Sequence, residues 1–110
     1  EKVVINGTGK QTRDYVFVSD IVAAHMLAME KNVTGTFNIG TGIQTTVNTL
    51  FRTINKLTSA KQAETHGPAC KGEVMRSALD ARKARRELGW TPKVKLDEGL
   101  KKTVAWFSKL

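Results

Sequence analysis

Apolar residues fall in short β-branched runs near the N-terminus and in helical stripes further on. Val3-Val4-Ile5 precedes the turn-forming Asn6-Gly7-Thr8-Gly9, which predicts a brief strand entering a loop. Val16-Phe17-Val18 is a second strand-like triplet. Ser19 or Asp20 then offers an N-cap for a helix carrying Ile21, Val22, Ala24, His25, Leu27, Ala28 and Met29 to about Asn32. Thr36-Phe37-Asn38-Ile39 runs into Gly40-Thr41-Gly42 and reads as a buried strand delivering a glycine turn. Strand, helix and strand over about 25 residues predict a βαβ unit.

Thr45 or Thr46 caps a next helix, in which Val47, Leu50, Phe51, Ile54 and Leu57 recur at helical spacing up to about Ser59. Residues 60–76 have no clear period and contain His66-Gly67-Pro68 and Lys71-Gly72, so they predict a functional loop with one short strand. Asp80 caps a short helix through Leu88, stopped by Gly89. Leu96 and Leu100 form a hydrophobic staple around Asp97, opening a last helix with Leu100, Val104 and Phe107 on one face. No internal repeat interrupts this order.

Length changes the picture by allowing one modest core in 110 residues and no second independent domain. No apolar run approaches the ~18–20 residues of a membrane span, and no signal pattern opens the chain; a cytoplasmic protein is expected. Glu1 at the first position implies a piece cut from something longer. The net charge of +8 is uneven, with seven basic and five acidic residues in 1–70 and eleven and five in 71–110. Such a basic half suits an anionic partner, or forms a solvated helical face.

Candidate chemistry is sparse. Neither Gly7-Thr8-Gly9 nor Gly40-Thr41-Gly42 completes G-x-G-x-x-G, and tight turns explain both. His25 belongs to a helical pattern, and His66 has no paired nucleophile nearby in sequence. Cys70, the single cysteine, rules out an internal disulfide and any multi-cysteine metal site. Tyr15 is followed four residues later by Ser19, so no Tyr-x-x-x-Lys pair exists. Arg13, between a glycine turn and a strand-like run, is placed to offer a guanidinium fork to phosphate oxygens.

Four segments occur together in order: Gln-Thr-Arg-Asp-Tyr-Val-Phe-Val-Ser-Asp at 11–20, Phe-Asn-Ile-Gly-Thr-Gly at 37–42, Gly-Glu-Val-Met-Arg-Ser-Ala-Leu-Asp at 72–80, and Glu-Leu-Gly-Trp-Thr-Pro at 87–92. In order and spacing the chain resembles the C-terminal part of the NAD-dependent epimerase/dehydratase family, the extended short-chain dehydrogenases, and most of all the UDP-glucose 4-epimerases within it. The resemblance covers essentially the whole chain. It implies an α/β fold, with a short parallel βαβ portion of a Rossmann-like sheet at 1–42 and a small, mainly helical substrate-binding lobe at 43–110, together one compact fragment.

It also implies site residues. Arg13 contacts the diphosphate of a bound nucleotide-sugar, and Glu73 holds the nucleotide ribose. Many members carry a second phosphate-binding arginine where Cys70 stands here; Lys71 supplies charge from the next position, as a point charge without a fork. Gln11, in the same motif, completes the substrate-binding set. No catalytic, cofactor-binding or metal residue is expected in this chain. NAD serves the full-length enzyme, whose glycine fingerprint and Tyr-x-x-x-Lys base precede the region seen here, so the chain does not epimerise alone. The expected partners are a UDP-sugar, the missing N-terminal nucleotide-binding part and further copies of the chain, with no membrane and no nucleic acid. Within the family, 37–42 and 76–80 look like the 4-epimerase versions rather than the 4,6-dehydratase ones. The alternatives are a non-catalytic interaction domain, or a nucleic-acid-binding module using Arg82, Lys83, Arg85, Arg86, Lys93 and Lys95.

Overall fold

A computed structural model describes all residues from 1 to 110. Four helices carry most of the regular structure: α1 Val18–Lys31, α2 Val47–Thr58, α3 Arg82–Leu88 and α4 Leu96–Phe107. The strands are two residues each: β1 Ile5–Asn6, β2 Thr12–Arg13, β3 Thr45–Thr46 and β4 His66–Gly67. β1 runs parallel to β4, with Ile5 opposite His66, and β2 runs antiparallel to β3, with Arg13 opposite Thr45. The chain is therefore α/β, with α1 and α2 lying in sequence between the two parallel strands.

The predicted βαβ unit does not close as a hydrogen-bonded pair. Val18 opens α1 instead of ending a strand, and residues 36–39 are irregular. A strand needs a neighbour at about 4.8 Å to take its amides and carbonyls, and no backbone hydrogen bond reaches Val16 or residues 36–39. Val3 and Val4 likewise stay outside β1. Their β-branched character marks extended backbone, but the ladder is missing.

The helices follow their stripes more closely. α1 begins after Phe17, at φ −71° and ψ 145°, without a side-chain cap, so neither Ser19 nor Asp20 plays the capping role; Asn32, in the left-handed region, ends it. Thr46 caps α2 by accepting from the Thr49 amide at 3.0 Å. Asp80 accepts the Arg82 amide at 3.0 Å at the start of α3, and Gly89, at φ 70°, ends that helix with its amide turned back on Arg85.

The core is small. Ala24 of α1 packs with Ala84 and Leu88 of α3 and with Trp90, joined by Val16, Leu27, Phe37 and Ile39 at its edge. One core is thus shared across the boundary expected at residue 42. Trp90, 1% exposed, is pinned by its indole N–H on the Asp20 carbonyl at 2.8 Å. The outline is a slab of 48 × 36 × 18 Å with a radius of gyration of 16.3 Å, against about 13 Å for a compact chain of such length. The compact fragment expected from the sequence is thus drawn out flat, because few residues lie far from solvent. Val18, Val22, Met26 and Met29 stay exposed along α1. No helix is long and apolar enough to cross a membrane.

Candidate nucleotide site

Three of the four expected site residues meet at one place. Gln11, 4% exposed, donates from Nε2 to the Asn6 carbonyl at 3.1 Å and to Glu73 Oε1 at 3.4 Å. Arg13, on β2, donates to the Thr12 and Val74 carbonyls at 2.6 and 2.7 Å, and its other terminal nitrogen reaches Glu73 Oε1 at 3.4 Å. Two neutral acceptors therefore hold one terminal nitrogen and Glu73 takes the other, which leaves Nε and one further N–H available. Glu73 and Arg13 are both half-buried, with about a quarter to a third of each side chain facing solvent.

Local structure explains the convergence. The 70–73 turn closes through the Glu73 amide on the Cys70 carbonyl. Thr12 binds the next segment twice, its amide on the Met75 carbonyl at 2.8 Å and its hydroxyl accepting from Ser77. Residues 73–77 are thereby laid along β2, and Glu73 arrives beside Gln11 and Arg13. Lys71 does not join them. It is exposed at the turn and forms no ion pair. Cys70 also lies at this edge, its thiol accepting from Asn6 Nδ2 at 3.2 Å.

Beside this cluster is an open cleft of about 350 Å³ between β1 and α2, lined by Val4, Asn6, Val47, Leu50 and Phe51, with Gln11 and Glu73 at its polar end. An apolar trough that ends in the Glu73 carboxylate, with the Arg13 guanidinium bonded behind it, suits a ligand with a flat ring at one end and hydroxyls and negative charge beyond.

Residues that sequence reasoning passed over organise the surroundings. Asn48 ties α2 to the first glycine turn, its side-chain amide donating to the Thr8 carbonyl at 3.0 Å and its backbone amide to Gly9. Asp14 fills the second glycine turn. Its carboxylate accepts from the Thr41 amide at 2.9 Å, the Thr41 hydroxyl at 2.6 Å, the Gly42 amide at 2.9 Å and the Leu79 amide at 3.1 Å. Burial pushes the Asp14 carboxyl up, but these four donors outweigh it and hold it below its ordinary value. A Cβ on Gly40 would stand 2.7 Å from Asp14 Oδ2, so only glycine fits against the carboxylate. The signal for it is a carboxylate directly after Arg13 in a chain with an unassigned Gly-x-Gly.

That arrangement also tests whether a dinucleotide cofactor fits here. The second turn's amides are spent on Asp14, and in the first turn the Gly7 amide is spent on the Gly67 carbonyl. The second turn therefore offers no row of free amides to a pyrophosphate.

The remaining candidates bond elsewhere or face solvent. His66 donates from Nδ1 to the Gly7 carbonyl at 2.7 Å and faces Glu64 at 3.2 Å; Arg52 grips the same Glu64 at 2.9 Å through both nitrogens and, first among the causes, keeps its carboxyl below the ordinary value. His25 is exposed on α1. No three His, Cys, Asp or Glu side chains cluster as metal ligands. In the basic segment Arg82 is clamped by Asp80 at 2.7 Å and Arg86 lies 3.8 Å from Glu87, while Trp90 is buried and offers no stacking face for a base.

The family model described as GDP-mannose 4,6 dehydratase matches residues 1–103. The chain belongs to that family. Among its members, the UDP-glucose 4-epimerase of Mycolicibacterium smegmatis is 42% identical over 104 residues, covering 94% of this chain and 33% of that protein. The crystal structure of the Thermotoga maritima UDP-glucose 4-epimerase with UDP-glucose superposes with a TM-score of 0.94 at 50% identity, covering 99% of this chain and 35% of that one. MoeE5 in complex with UDP-glucuronic acid and NAD gives 0.88 at 35% identity over 99% and 37%. This family member spans about a third of the length of the curated relatives it matches.

Proposed function

We propose that the chain is the substrate-holding portion of a nucleotide-sugar 4-epimerase that binds a UDP-sugar. The convergence of Gln11 and Arg13 on Glu73, at the polar end of the β1–α2 cleft, carries this reading. The base lies in the apolar trough, the Glu73 carboxylate accepts from ribose hydroxyls, and the free side of the Arg13 guanidinium donates to the diphosphate. Gln11, fixed on the Asn6 carbonyl, orients Glu73. Lys71 adds positive charge from the turn as a screened point charge. The likeness to UDP-glucose 4-epimerases supports the epimerase over the dehydratase.

In such an enzyme the bound nicotinamide cofactor supplies hydride transfer at the sugar. The residues here hold the nucleotide and leave that chemistry to the rest of the longer, cytoplasmic protein, so the chain is not catalytic alone. On this reading residues 1–42 close the nucleotide-binding sheet and 43–110 form the lobe over the substrate.

Calorimetric titration with UDP-glucose tests the site. Arg13→Ala is expected to weaken binding by about 1.5–3 kcal/mol, the usual worth of a charge-assisted hydrogen bond. Unaltered binding in a folded Arg13→Ala chain would instead favour the interaction-domain reading. The exposed Val22, Met26 and Met29 on α1 also support self-association. Sedimentation is expected to show dimers or larger species that dissociate in Met26→Glu; a wild-type chain that stays monomeric across concentration sinks that part.

A further inference from the structure

A second concavity, of about 470 Å³, lies between the 40–42 turn, α3 and the 90–92 connection, and shares no residue with the β1–α2 cleft. Leu79, Ala81 and Pro92 give it an apolar wall, while Arg82, Arg85 and Thr91 stand at its polar side. We propose that this cavity is a second ligand site, built on Arg85, that takes a small phosphate ester.

The charge balance of its lining points to an anion. Asp80 is committed to Arg82 through contacts of 2.7–3.0 Å, and that guanidinium, with the Arg82 amide, pulls its carboxyl down to about 2, so the pair stays ionised and mutually satisfied. The other carboxylate beside the cavity, Asp14, faces inward and is saturated by Thr41, Gly42 and Leu79. Arg85 has no carboxylate partner and makes no side-chain hydrogen bond, and the Thr91 hydroxyl is also unused. One uncompensated guanidinium fork and one free hydroxyl thus face a cavity whose size falls in the range of small-molecule pockets. The concave shape and apolar wall favour a compact ester, its phosphate on Arg85 and its organic part against Leu79 and Pro92, over an extended polyanion.

Inorganic pyrophosphate is the probe, titrated into the full 110-residue chain carrying Arg13→Ala, so that the first site does not contribute. Amide NMR shifts of Thr91, Gly42 and Arg85 are expected to move together along one isotherm. Arg85→Ala should weaken that isotherm about tenfold or more, Arg85→Lys should fall between it and the parent, and Lys101→Ala, a remote charge on α4, should leave it unchanged. Equal losses in Arg85→Ala and Lys101→Ala would show a response to net charge only and overturn the site. So would shifts confined to residues outside the cavity, or tighter binding of a single-stranded oligonucleotide than of pyrophosphate at matched salt, which would mark a nucleic-acid surface.

Discussion

Asp14→Ala is expected to lower the stability of the chain by about 3–4 kcal/mol, read as a fall of roughly 1.5–2 M in the urea midpoint. The substitution leaves three backbone amides, those of Thr41, Gly42 and Leu79, without their acceptor, and it leaves the Thr41 hydroxyl proton without one too. Each loss alone is worth about 1–3 kcal/mol, and their sum is moderated because the freed turn can relax toward water. Asp14→Asn is the sharper comparison. It keeps size and shape but replaces one oxygen, which accepts two of the four bonds, with an amide that only donates; its cost should approach that of alanine. An Asp14→Asn chain as stable as the parent would show that packing, not the carboxylate, holds the turn.

The same group sets a pH dependence. Its folded pKa lies below the ordinary value of 3.8, so its contribution is present in full above the ordinary carboxylate range and fades as pH falls through the lowered folded value. The gap between parent and Asp14→Ala should therefore be widest near neutrality and close in strong acid. A gap that widens on acidification would contradict the assignment.

How much of this is legible in the chain depends on the range over which each feature is decided. α2 and α4 follow from apolar spacing, because a helix satisfies its backbone within itself and needs only one face to bury. The segments 16–18 and 36–39 have the composition of strands, yet a strand is decided by a neighbour, and none lies alongside either. Arg13 and Glu73 are named through the family resemblance, and the geometry brings both to Gln11, whereas Lys71 remains outside the cluster. Asn48 and Asp20 cannot be read, and Asp14 is signalled only by its place after Arg13, because their partners lie 27 to 74 positions away. A short polar side chain beside a glycine or at a helix start looks like a local cap until the distant amides that it serves are placed.

Asp20 gives the second large effect. The sequence predicts it as a local cap for α1, but the residue is buried, 4% exposed, and its carboxylate crosses to the far segment and accepts the amides of Lys93 and Val94 at 3.1 Å. Its backbone carbonyl holds the Trp90 indole N–H beside them. One residue thereby fixes the whole connection that leads into α4. Asp20→Ala removes the carboxylate and leaves the carbonyl, so the two anchors can be separated. Stability should fall by about 2–4 kcal/mol, the sum of a charge-assisted acceptor lost to two sheltered amides and a small term for removing an acid from the first turn of α1. Hydrogen exchange should quicken first at Lys93 and Val94, while the Trp90 indole proton keeps its protection under conditions where the chain stays folded. Uniform loss of protection at all three would mean that the connection opens as one unit. Unchanged exchange at Lys93 and Val94 would instead mean that the carboxylate is not what holds it.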